Sequence, residues 1–178
     1  MGCYSEIFSF EINSQNHILD VIIEPSFNKA VCFQFHEMND GSLEMFWNFE
    51  IVGRKIIPYA KEFVFQHKLP GETTFADLLK NVEYKKFIKG KCPISNAKLS
   101  KVQAEIIKQV VNTESPLDAE KYQGLDGHSY TFKVWGENKR VYECWCVLPK
   151  GWDILIPLID MVVKLADLDN DRYGIVEK

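Results

Sequence analysis

Period two governs the first third of the chain. Phe8, Phe10 and Ile12 alternate with Ser9 and Glu11; Val31, Phe33 and Phe35 alternate with Cys32, Gln34 and His36. Leu43, Met45, Trp47, Phe49 and Ile51 alternate in turn with Glu44, Phe46, Asn48 and Glu50. Successive side chains of a strand point to opposite faces, so this pattern predicts half-buried antiparallel strands. Ile18 to Ile23 is more uniformly apolar and fits a central strand. Turn chemistry separates the runs at Asn13-Ser14-Gln15-Asn16, Pro25-Ser26-Phe27-Asn28 and Asn39-Asp40-Gly41. Asp-Gly signals a hairpin because glycine tolerates the positive φ of a tight turn. Residues 4–52 read as a β-meander.

Over residues 58–112 the period changes to that of a helix. Thr74 stands three residues before Asp77, as in a capping box at a helix start. Phe75, Leu78, Leu79, Val82 and Phe87 follow as one stripe, which Gly90 and then Pro93 are expected to end. A second helix is predicted behind Ser95 or Ser100, with Leu99, Val102, Ile106 and Val110 as its apolar face. Residues 113–123 are polar, contain Pro116 and read as a linker or surface loop.

Strands return in the last third. Asp126-Gly127 opens one, and Gly136-Glu137-Asn138-Lys139 turns it into the next. A tight turn there predicts Tyr130 opposite Trp145 and Val134 opposite Val141. A nearly all-apolar helix follows, starting between Asp153 and Pro157, with Asp160, Lys164 and Asp167 as its narrow polar stripe. Such a helix must be buried on more than one side. The expected fold is α+β: an N-terminal antiparallel β-meander, central helices, and a C-terminal β-hairpin packed with a long apolar helix. A chain of 178 residues suits one domain, with 1–57, 58–121 and 122–178 as possible sub-lobes.

Charge divides along the same boundaries. Residues 1–57 hold 3 basic and 8 acidic side chains, a balance of −5, and residues 58–121 hold 11 and 8, a balance of +3. An acidic face favours a basic partner, and a basic patch favours phosphates. The five cysteines, Cys3, Cys32, Cys92, Cys144 and Cys146, are odd in number and have no framework spacing. No secretory signal opens the chain, so free thiols in a cytoplasmic setting are expected. The run Ile154 to Val163 is too short to span a bilayer, so no membrane association is expected.

Motifs that carry chemistry are scarce. His17, His36, His67 and His128 lie far apart in sequence and share no metal-ligand spacing with the cysteines. Cys144 and Cys146 fall on one strand face and read as small apolar fillers. Asp167, Asp169 and Asp171 imitate the start of a calcium loop. Arg172 stands where glycine is needed and Lys178 where glutamate is needed, which leaves a frayed, solvated terminus as the expectation. No cofactor, metal or catalytic residue is assigned, although a hydrolase with dispersed residues leaves no spacing signal. Seven lysines between Lys80 and Lys101 surround Tyr84 and Phe87. That interleaving suits single-stranded RNA. Glu83 and the absence of arginine count against it, so nucleic acid is not the expected partner.

Leu125-Asp126-Gly127-His128-Ser129-Tyr130-Thr131-Phe132, then Tyr142-Glu143-Cys144-Trp145, then a helix led by Trp152 resemble a pattern of small bacterial proteins found beside polymorphic toxins. More loosely, the whole chain resembles immunity proteins of contact-dependent growth-inhibition systems. The resemblance implies a non-enzymatic protein that binds and neutralises a cognate toxin C-terminal domain. Many such toxins are nucleases with basic clefts, which an acidic surface meets quickly. The acidic balance of residues 1–57 makes Glu11, Glu24, Glu37, Asp40, Glu44 and Glu50 the candidate partner-binding residues.

Overall fold

Alternation becomes strand, and the strands of both chain ends join one sheet. The computed structural model describes residues 14–25, 30–48, 56–91, 93–113, 127–136, 139–145, 148–149 and 151–174. Its strands are β1 (Ser14–Pro25), β2 (Val31–Met38), β3 (Leu43–Asn48), β4 (Ser95–Lys98), β5 (His128–Val134) and β6 (Arg140–Trp145). They lie in the order β4-β3-β2-β1-β5-β6, every neighbour antiparallel. The apolar run at Ile18–Ile23 is central, as its composition predicts. β1 pairs with β2 on one side and β5 on the other, so the meander and the C-terminal hairpin share a single sheet. The Asn39-Asp40-Gly41 turn forms with Gly41 at φ +76°, and Asp40 Oδ1 accepts from the Ser42 amide at 2.9 Å. The expected strand around Phe8 to Ile12 lies outside the described residues.

One face of the sheet holds the main core. Leu19, Val21, Ile23, Val31, Phe33, Phe35, Met45, Tyr130, Phe132 and Val134 are buried there. Two helices cover this face: α4 (Lys101–Asn112) and α5 (Ile156–Leu165), the latter behind a 3₁₀ turn at Asp153–Leu155. Ser100 caps α4 through a reciprocal box with Gln103. Arg140 of β6 donates to the carbonyls of Val111 and Thr113 at the other end of α4, where unsatisfied acceptors favour a cation.

A smaller lobe has its own core. It comprises α1 (Ile56–Gln66), α2 (Phe75–Lys80) and α3 (Val82–Lys91), with Ala60, Phe63, Leu78, Tyr84 and Ile88 buried together. The Thr74–Asp77 capping box forms as its spacing predicts.

Several expectations need correction. The closing helix is not long. α5 has ten residues; Pro157 sits in its first turn, and the chain leaves it through Ala166 and Asp167, whose φ is +52°. The terminus after it is not frayed up to residue 174: α6 (Asn170–Tyr173) is capped by Asp169 and buries Tyr173, and Tyr130 Oη donates to the Gly174 carbonyl at 2.7 Å. The stripe Phe75–Phe87 is two helices rather than one. Asn81 breaks it, its side chain accepting from the amides of Glu83 and Tyr84 to start α3. Val82 is consequently exposed, and Gly90 lies inside α3 instead of ending it. In α4, Val102 is 74% exposed and Ile107 takes the inward position. The hairpin register is shifted by one residue: Tyr130 faces Cys144, and Ser129 faces Trp145. β4 and α1 were not anticipated; Ser95 begins that strand and caps no helix.

Candidate functional site

The four described acidic candidates do not form one surface. Glu24 lies near the end of β1, opposite Ser129 of β5. Glu37, Asp40 and Glu44 lie at the other end of the sheet, around the β2–β3 turn, with Glu37 on the face of Leu43 and Glu44 on the opposite face, across from His36. With about 3.3 Å of rise per residue, the eight residues from Asn16, which faces Glu37, to Glu24 separate the two groups by roughly 26 Å. Glu11 and Glu50 lie outside the described residues.

Each acid at the turn is held in place. Asn16 Nδ2 donates to Glu37 at 3.2 Å, and Asn96 Nδ2 to Glu44 at 3.4 Å. Asp40 accepts from the Ser42 hydroxyl and amide and from Lys98 Nζ at 3.2 Å. These bonds, the hydroxyl's first, hold its carboxyl down to a pKa of about 2, so it stays ionised at any physiological pH. Three carboxylates against the one lysine paired there leave the turn negative.

A second constellation lies on the sheet face opposite the main core, and sequence spacing does not reveal it. Asp20, Gln34 and His36 are buried there. A bulge between His17 and Leu19 adds one residue to β1, which brings His17 onto the same face as Asp20 and directly opposite His36. His17 Nε2 donates to Asp20 Oδ1 at 2.6 Å, and Trp135 Nε1 donates to Asp20 Oδ2 at 3.0 Å. The rings form a ladder across four neighbouring strand positions. Trp135 stacks on His17 at 5.0 Å, His17 on His36 at 4.4 Å, and Phe46 meets His36 edge-on at 5.6 Å. Burial, and then the neighbouring His17, push the His36 pKa down to about 4; Asp20 acts weakly in the opposite sense.

An imidazole oriented by a buried carboxylate resembles half of a catalytic relay. His17, however, makes no hydrogen bond to a hydroxyl or thiol among the described residues, and other rings occupy both of its faces. The pattern suits a buried polar clamp between β1, β2 and the end of β5. His67 stacks on Phe63 in the small lobe and takes no part. Among the described residues no cluster of three or more His, Cys, Asp or Glu side chains could hold a metal ion. Asp169, of the calcium-like run, is occupied with capping α6 and pairing with Arg172 at 3.0 Å.

The lysine-rich segment lacks the stacking platform that single-stranded RNA needs. Tyr84 is 1% exposed, and Phe87 packs against the small core. Lys86, Lys91 and Lys98 are paired with Glu83, Glu62 and Asp40. No described helix is long and apolar enough to cross a membrane.

Fold and sites together define an α+β protein with one six-stranded sheet, a helical lobe and a carboxylate-bearing turn. No protein-family model, curated protein or solved structure matches the chain.

Proposed function

We propose that this chain is an immunity protein that binds a cognate bacterial toxin domain and blocks its activity. The resemblance of the segment from Leu125 through the helix led by Trp152 to toxin-associated proteins supports this reading. The observation that carries it is the placement of Glu37, Asp40 and Glu44 around the β2–β3 turn, Glu37 and Glu44 on its two faces and Asp40 at its tip. A rigid hairpin bearing fixed carboxylates is suited to a basic nuclease cleft, because little side-chain entropy is lost on docking and opposite charge speeds encounter. Glu24, at the far end, belongs outside this interface.

Growth rescue tests the proposal. Where the neighbouring gene encodes a toxin domain, that domain is co-expressed with the wild-type protein or with an E37K/E44K variant; a neighbourhood without one counts against the reading. The wild type should restore growth, and the variant should associate about tenfold more slowly at low salt. Failure of the wild type to protect removes the immunity reading. Equal association by the variant moves the interface away from the turn.

A further inference from the structure

We propose that the groove between α1 and the loop at residues 68–73 is a docking site for an acidic amphipathic helix of a partner protein. The groove has a volume of about 590 Å³, and its apolar lining includes Val64, Leu69 and Leu78, with Phe65 at its rim. Phe65 is 86% exposed, the most exposed of the described large apolar side chains. A protein that leaves an aromatic side chain bare beside an apolar groove has a ready anchor for a partner, since such residues dominate interface energetics.

Charge decides which partner fits. Lys61 and Lys68 line the groove, and no acidic side chain does among the described residues. Lys86 and Lys91 of the same lobe are neutralised by Glu83 and Glu62. Lys61 and Lys68 make no ion pair among the described residues. They flank Val64 and Phe65, Lys61 one turn before them on α1 and Lys68 just past its end. An apolar pair flanked by two cations that have no ion pair among the described residues is complementary to an apolar stripe bordered by carboxylates.

Backbone chemistry decides its conformation. The groove has no strand edge, so a peptide cannot add to a sheet here. The amides of Lys68, Leu69 and Thr73 already donate to Phe65, Val64 and Pro70. An extended segment would therefore leave its own main chain unpaired on docking, whereas a helix arrives with its hydrogen bonds made. The inference is independent of the toxin reading, which rests on the acidic end of the sheet.

The test uses the full chain, labelled with ¹⁵N, and two synthetic helical peptides. Both carry leucine at i, i+3, i+4 and i+7; one has glutamate at the remaining positions and the other lysine. The glutamate peptide should give saturable shifts at the amides of Lys61, Val64, Phe65 and Leu69, and the lysine peptide should give none. Phe65→Ala and K61E/K68E should each weaken binding by about tenfold. All three side chains are exposed, so these variants keep the fold. Absence of saturable shifts, equal binding of both peptides, or unchanged affinity in the variants would overturn the proposal. Binding to phosphatidylglycerol vesicles in place of the glutamate peptide would assign the groove to a membrane surface and overturn it as well.

Discussion

His36 and His17 set a limit on charge inside this protein. Their rings stack at 4.4 Å, and His36 is 2% exposed. A proton on His36 would sit in a poorly solvated place beside a second imidazole. Its folded pKa of about 4 therefore lies below the ordinary 6.5 that the unfolded chain keeps. Between those values the unfolded state binds the proton and the folded state does not. His36 thus contributes stability fully above pH 6.5, and that contribution is lost as pH falls toward 4. Urea titrations across this window should show stability dropping by up to about 1.4 kcal/mol per pH unit from this one group. The slope should flatten in His36→Gln. An unchanged slope in that variant would mean that other groups set the acid response. Little of this cluster is legible in the sequence, because His17 and Asp20 stand on opposite faces of any regular strand.

At the scale of elements, register decides which side chains matter. In β6 the observed pairing turns Tyr142 inward, 8% exposed, and leaves Val141 50% exposed. Tyr142 meets Trp152 edge-on at 5.4 Å, next to the 3₁₀ turn that leads into α5. Tyr142→Ala should cost about 3 kcal/mol or more in chemical denaturation, while Val141→Thr should stay within about 0.5 kcal/mol of wild type. The reverse ranking would support the slipped register that a tight turn predicts. Turn and cap chemistry was readable at Asp40-Gly41, at Thr74 with Asp77 and at Ser100, each performing the role its spacing indicates, whereas Ser14-Gln15-Asn16, expected in a turn, already belong to β1. The break at Asn81 was not readable, since Val82 continues the apolar period numerically although its side chain faces water.

Among the described residues there are two cores of unequal size. The sheet and its two helices bury Leu19, Phe33, Phe132, Leu158 and many others in one continuous cluster. The helical lobe buries five of its described side chains. Local opening free energy tracks buried apolar contact, so the lobe should open first. Native-state hydrogen exchange should find amides of α1 and α3 exchanging well before those of β1, β2 and β5, which should exchange only on global unfolding. Equal protection in both parts would show that the lobe unfolds with the sheet as one cooperative unit. The two proposed surfaces divide in the same way: the acidic turn belongs to the sheet, and the groove lined by Lys61 and Lys68 belongs to the lobe.

By itself the sequence determined what depends on near neighbours: the α+β class, the central position of Ile18–Ile23, the Thr74–Asp77 capping box, and the acidic first third and basic middle of the chain. Alternation and capping act over a few residues, so the chain states them directly. The tertiary structure decided what depends on distant pairing. Joining β1 to β5 made one sheet of the two chain ends, and the short α5 became half of a two-helix cover. One extra residue in β1 brought His17 to Asp20 and His36, and the β2–β3 turn separated Glu37, Asp40 and Glu44 from Glu24. A single-residue shift of register changes the face of every side chain that follows, and no local pattern in the sequence reports it.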